Sequence, residues 1–278
     1  MKLQAFLPLT TYPDSNSDAI ASNATAIAAY LDAELHAEVI NAHIPDVSNV
    51  MSRLLLKLPE LIREAEAAGR QRGEHLLERI REEATRKSVS LTTGVSSAAL
   101  ALIGEAAAIE ARYFDISLLG WEADNPTSRA TAEAVMFGAG RPAILLPETP
   151  AFEPIDHVAI AWDGSRVAAR AVADAKPFLE RASKITVLTI VGEKPIMEGN
   201  GAERLAAGLG KSGLTAEAAS IDADERPVGI GLQSHAIERG ANLLVMGGYG
   251  HSVVRDFVLG GATEDVLDEL RLPVLFSH

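Results

Sequence analysis

The sequence predicts an α/β fold built as two tandem doubly wound parallel-sheet domains, and three observations carry that expectation. Apolar runs of strand length alternate with longer segments of helical spacing along the 278 residues. The alternation restarts after Pro147-Glu148-Thr149-Pro150-Ala151-Phe152-Glu153-Pro154, whose three prolines in eight residues read as a linker. Landmarks of the two halves also align. Arg141-Pro142-Ala143-Ile144-Leu145-Leu146 matches Leu272-Pro273-Val274-Leu275-Phe276-Ser277, and Phe114-Asp115-Ile116-Ser117-Leu118-Leu119-Gly120 matches Ala241-Asn242-Leu243-Leu244-Val245-Met246-Gly247. An internal duplication accounts for all three. Alternating strands and helices with short connections imply parallel strands, right-handed crossovers and helices on both faces of each sheet. The expected domains are 1–149 and 155–278.

In the first domain, residues 3–9 read as a short apolar strand. Asp14-Ser15-Asn16-Ser17 then offers N-cap residues to an Ala-rich helix running to about Ala33. Residues 34–43 alternate as a strand. Residues 59–86 place Leu61, Ala65, Leu76, Leu77 and Ile80 on one helical stripe among many charges, so they predict an amphipathic surface helix. Strand 88–95, helix 97–112, strand 115–119, helix 128–136 and strand 142–147 complete the half. The second domain repeats the order with strand 157–162, helix 166–182 kinked at Pro177, strand 184–191, helix 200–211 and strand 216–221. Helix 227–239, strand 243–246, helix 261–270 and strand 273–276 follow.

Composition removes several classes of function. A formal charge of −13 and no local basic stripe disfavour nucleic acid as a partner. With no cysteine there are no disulfides, thiol nucleophiles or thiolate metal ligands, which fits a reducing compartment. Pro8 cuts the apolar start short of a signal-peptide core, and the most apolar long segment, Ser97 to Ala111, carries Glu105 and Glu110. A cytoplasmic protein with no membrane span is expected.

The segment that suggests chemistry runs from Asn242 to Glu264. A strand breaks into Gly247-Gly248-Tyr249-Gly250, and a second glycine pair, Gly260-Gly261, opens the next helix. Glycines let a backbone turn tightly, and successive N–H groups at a turn or helix start form an anion-binding concavity. A small phosphate-bearing ligand is therefore compatible with the acidic surface. Gly229-x-Gly231-x2-Ser234 only imitates a dinucleotide loop, because it lies inside a helical pattern.

Gly247-x2-Gly250-x9-Gly260-Gly261 resembles the nucleotide-binding signature of the universal stress protein family, Gly-x2-Gly-x9-Gly-Ser/Thr, after the fourth strand. Ala161-Trp162-Asp163-Gly164-Ser165 resembles that family's first-strand end, and Thr263-Glu264 with Leu272-Pro273-Val274-Leu275 its terminal helix and strand. The likeness spans residues 157–278 and implies a tandem member of an adenine nucleotide alpha hydrolase-like fold, strand order 3-2-1-4-5. It further implies that the second domain binds ATP or another adenine nucleotide, with Mg2+ on the phosphates, as a stress-related regulatory or sensing module. Carried over by position, Ala161 and Asp163 would line the adenosine side and Ile190 would touch the adenine. Met246, Gly247 and Gly250 would bracket ribose and phosphates, and Gly260, Gly261, Ala262 and Thr263 would hold the phosphate chain. Gly261 stands where the family has a hydroxyl, a loss of about 0.5–1.5 kcal/mol if one neutral hydrogen bond goes.

The first domain departs further from the pattern. Gly120-Trp121-Glu122-Ala123-Asp124 replaces the glycines with bulky and acidic groups, and Leu9-Thr10-Thr11-Tyr12 stands where Asp-Gly-Ser would. It reads as a degenerate, structural copy. Asp163 reads equally well as a turn-capping residue, Arg255 and His251 as solvated loop residues, and Trp162 as a packing wall. No Gly-x-Ser-x-Gly, Walker lysine or nucleophile with its base is present, so dedicated catalysis is not indicated. In the resembled family the fifth strand pairs domains, which implies an intrachain pseudo-dimer through Ala143–Leu146 and Val274–Phe276, and a homodimer beyond it. The alternative is a ligand-free interaction scaffold of the same fold.

Overall fold

A computed structural model of the chain describes residues 2–45, 58–122, 124–148, 154–191, 200–222, 226–248 and 261–278. By its internal contacts the chain falls into two compact units, Met1–Ala139 with Glu148–Ala151, and Gly140–Pro147 with Phe152–His278. The fifth strand of the first repeat is thus counted with the second unit.

The first unit runs β1 (Gln4–Leu9), α1 (Ala19–Leu31), β2 (Glu34–His43), α2 (Leu58–Arg86), β3 (Ser90–Ala99), a 3-10 turn (Leu100–Leu102), α3 (Ile103–Ala111), β4 (Ile116–Trp121) and α4 (Pro126–Gly138). Its strands are parallel in the order β3-β2-β1-β4. Central β1 is buried from Ala5 to Leu9, as a strand covered on both faces must be. Edge strand β3 is instead small and polar, with Val95 left 66% exposed.

Two local expectations are corrected here. Strand pairing runs on to Ala99 opposite His43, so the helix expected from residue 97 begins only at Ile103. Ser96, Ser97, Ala98 and Ala99 are small enough for either state, and the ten-residue β2 supplies the backbone partner. Leu61 is 53% exposed, whereas the buried stripe of α2 starts at Gly69 and continues through Gly73, Leu76, Leu77 and Ile80. Gly73 lets the helix approach the sheet, since a methyl there would lie 2.7 Å from Val39 Cγ1.

The second unit holds β5 (Ala143–Pro147), β6 (His157–Ala161), α5 (Arg166–Asp174), α6 (Lys176–Leu179), β7 (Lys184–Val191), α7 (Gly201–Lys211), β8 (Ala216–Asp222), α8 (Val228–Glu238), β9 (Leu243–Gly247), α9 (Gly261–Asp268) and β10 (Val274–Ser277). Parallel strands β8-β7-β6-β9-β10 reproduce the order 3-2-1-4-5 within the repeat. Strand β5 extends the sheet antiparallel to β10, with Leu145 opposite Val274, Ile144 opposite Leu275 and Ala143 opposite Phe276. The expected intrachain pairing of these two segments is therefore formed. Pro177, which has no N–H to give, divides the expected helix 166–182 into α5 and α6 at Ala175. Among the described residues, no helix is long and apolar enough to cross a membrane.

Candidate functional site

In the second unit β6 ends at Ala161, β7 at Val191 and β9 at Gly247, all at one edge of the sheet. The chain proceeds from β6 to β7 and β8 on one side and to β9 and β10 on the other. Strand order therefore reverses between β6 and β9, which opens a crevice outside their carboxyl ends.

The turn after β6 is built from its own side chains. Asp163 Oδ1 accepts the Ser165 N–H at 2.9 Å, Gly164 takes the left-handed φ of 77°, and Ser165 Oγ accepts the Ala168 N–H at 3.2 Å. The sequence thus starts α5 at this point with an N-cap serine. Asp163 is exposed and keeps its second oxygen for an outside donor such as a hydroxyl or amino group. Arg166, the first residue of α5, is exposed and makes no hydrogen bond or ion pair among the described residues. Sequence reasoning missed it, although an Arg directly after the Ser165 cap was visible in the sequence.

Trp162 fixes the strand ends. Its N–H donates to the Leu188 carbonyl at 2.8 Å, and its carbonyl accepts the Thr189 hydroxyl at 2.9 Å. The indole lies against Gly201 at the start of α7, where a methyl would come 3.2 Å from Nε1. Ile190 is half-buried near the end of β7. Met246 is buried opposite Phe276, so its side chain packs inside the sheet layer.

Gly247 meets the first turn of α5 rather than empty space. A methyl there would fall 2.6 Å from the Ala168 nitrogen and 2.6 Å from the Val167 carbonyl carbon. Ala161, Asp163, Met246 and Gly247 are therefore gathered around the crevice, with the cap of α5 between them. Beyond β9, Gly248 donates to the Ser277 carbonyl at 2.8 Å and tethers the strand end to β10. Gly250, Gly260, His251 and Arg255 lie outside the described residues.

Gly261 opens α9 with nothing within 4 Å of where a side chain would start. Ala262 and Asp265 of the same turn press on Gly229 in α8, and Asp265 Oδ2 accepts the Gly229 N–H at 2.9 Å. Thr263 is 4% exposed.

The same edge of the first unit holds a carboxylate that the sequence reading took for part of a linker. Glu148 Oε1 accepts from Asn16 Nδ2 at 2.8 Å and Oε2 from the Ser17 N–H at 2.5 Å. Asn16 is 3% exposed and is itself held by the Thr10 N–H at 2.9 Å. Burial pushes the Glu148 carboxyl up to about 7, helped by the negative Glu122 and opposed by the Ser17 and Asn16 hydrogen bonds. Gly120 at the end of β4 makes room, because a methyl there would collide with Glu148 Oε1 and come 2.8 Å from Asn16 Nδ2.

No protein-family model matches the chain, and no curated protein does. Among solved structures it is similar to a universal stress protein from Archaeoglobus fulgidus DSM 4304, with a TM-score of 0.67 at 14% identity over 99% of this chain and 96% of that one. The chain has the universal stress protein fold in tandem. A functionally unknown protein from Pseudomonas aeruginosa PAO1 is also similar, with a TM-score of 0.57 at 17% identity over 99% and 92% of the two chains. So is a provisionally named universal stress protein from Pseudomonas aeruginosa UCBPP-PA14, with a TM-score of 0.57 at 16% identity over 99% and 93%. Each full-length match spans both repeats, so the duplication belongs to this tandem universal stress protein architecture.

Proposed function

We propose that the second unit binds ATP or a related adenine nucleotide, and that the protein is a cytoplasmic regulatory or sensing module of the stress-protein kind. The observation that carries this reading is the reversal of strand order between β6 and β9, where the Asp163 turn, the start of α5 and the end of β9 come together. Asp163 suits the donors of an adenosine, and Ile190 and Ala161 offer an apolar edge to the base. In this reading Arg166 and the start of α9 serve the phosphates, with Gly250, Gly260 and Gly261 supplying backbone N–H groups. Mg2+, in this reading, binds through the nucleotide phosphates.

Isothermal titration with ATP, ADP and AMP in the presence of Mg2+ tests the site. We expect one nucleotide per chain, weakened by Arg166→Ala; no heat for any of the three sinks the reading. Homodimer formation is part of the proposal and is measured by sedimentation with and without nucleotide.

A second reading, a ligand-free scaffold, has its own support. Gly247 and Gly229 are each accounted for by close helix packing, so neither glycine requires a ligand to explain it. Adenine nucleotide released on denaturing the purified protein would exclude the scaffold.

A further inference from the structure

We propose that the first unit keeps an anion cradle at the carboxyl ends of β1 and β4, and that Glu148 of its own chain occupies it in place of an external ligand. The argument is independent of the nucleotide site of the second unit. It starts from topology: β1 and β4 are adjacent parallel strands across which the strand order reverses, as β6 and β9 are in the second unit. A doubly wound sheet leaves its crevice there. In this unit the crevice contains a carboxylate.

The donors around that carboxylate are fixed by groups other than Glu148. Asn16 Oδ1 accepts from both the Thr10 N–H at 2.9 Å and the Thr10 hydroxyl at 3.3 Å, which turns Nδ2 toward the crevice. The Asn16 N–H donates to the Thr10 carbonyl at 3.1 Å, so the loop after β1 is closed on itself. Arg72 of α2 donates to the Asn16 carbonyl at 2.9 Å and to Asp18 at 2.7 Å, and its Nε reaches Ser15 Oγ at 3.2 Å. His75 meets the same Asp18 at 2.9 Å. The loop carrying Asn16 and Ser17 is thus held from behind, with its two donors directed at one acceptor position.

The opposite wall is Gly120, whose missing side chain is what admits Oε1. Ser128 Oγ and the Asn125 side chain secure this wall. Ser128 Oγ donates to the Gly120 carbonyl at 2.5 Å, and Asn125 Oδ1 accepts the Ser128 N–H at 2.9 Å. Glu148 enters because its own N–H donates to the Trp121 carbonyl at 3.2 Å, which seats the residue over the end of β4. Two donors, a glycine wall and a seated carboxyl group make the arrangement of a site with an acceptor already in place. Burial raises the Glu148 carboxyl while the Ser17 and Asn16 hydrogen bonds lower it, so it is these two donors that favour a negatively charged occupant.

The fold is therefore not simply degenerate here: it replaces the ligand by a residue of the strand-five exit. Once the Glu148 side chain is gone, Ser17 N–H and Asn16 Nδ2 are left aimed into space that a small oxyanion of the phosphate class fills.

The test is an NMR titration of the full chain with inorganic phosphate, following the Ser17 and Gly120 amides, which belong to the first unit alone. In Glu148→Ala, phosphate is expected to move both signals saturably, with an apparent affinity at least about tenfold above the wild type. Should that variant fail to fold, Glu148→Ser offers a hydroxyl to the orphaned donors, and the same result is expected of it. A folded Ala or Ser variant whose Ser17 and Gly120 amides ignore phosphate overturns the proposal. So does a wild-type chain that binds phosphate at these amides as well as the variant does. Neither outcome touches the nucleotide reading, whose signals lie in the second unit.

Discussion

Gly261 and Glu148 show how single residues set the two crevices apart. A Cβ at position 261 meets nothing within 4 Å among the described residues, so Gly261→Ser adds a hydroxyl at the start of α9 without displacing any of them. If the nucleotide sits where we propose, the added hydrogen bond is worth about 0.5–1.5 kcal/mol. Calorimetry should then show ATP bound up to about tenfold tighter, with thermal stability little changed. Glu148 makes a prediction in pH. Its carboxyl is raised from 4.5 to about 7 in the folded chain, so the folded state holds the proton more tightly than the unfolded state does. The resulting stabilisation is fully present below about 4.5 and is lost as pH rises through about 7. Between these limits the loss from this group is on the order of 1–3 kcal/mol. Melting temperatures of Glu148→Gln should lack this component, so that the variant gains on the wild type as pH rises toward 8; parallel curves would contradict it.

The packing of α8 on α9 is the element-scale counterpart, because two helix starts are tied by one carboxylate. Asp265 accepts the Gly229 N–H near the first turn of α8, where Pro227 provides no side-chain cap. Asp265→Ala should therefore cost about 1 kcal/mol, read as a shift in the denaturant midpoint with the slope unchanged. The same contact explains what the sequence could and could not say. The spacing of Gly229 and Gly231 inside an apolar helix was legible as something other than a dinucleotide loop, but its cause, the Ala262 turn, was not. Alternation of strand and helix was readable because the central strands are uniformly apolar and Ser165 and Pro126 mark helix starts. Residues 96–99 misled because small side chains suit either state and only the partner strand decides. At the candidate site the β6 turn was readable from Asp163-Gly164-Ser165 alone. Glu148 was not, since its partner Asn16 is 132 positions away and prolines on either side imitate a linker.

At the scale of the whole molecule, the fifth strand decides what can stand alone. Strand β5 belongs by sequence to the first repeat, yet it is counted with the second unit and pairs antiparallel with β10. Ala143, Ile144, Leu145 and Leu146 are all fully buried, and β10 buries Val274, Leu275 and Phe276 beside them. A chain of residues 155–278 lacks that partner and leaves one edge of β10 with unpaired N–H and C=O groups along an apolar strand. Such an edge invites a second copy. A chain of residues 140–278 retains the antiparallel cover. Sedimentation should accordingly show the 155–278 chain self-associating more strongly than the 140–278 chain, and thermal unfolding should place the shorter chain lower. Equal association and equal stability would mean that β5 contributes nothing to the second unit. The direction follows from hydrogen bonding as well as burial, since the β10 N–H and C=O groups that pair with β5 lose those partners in the shorter chain.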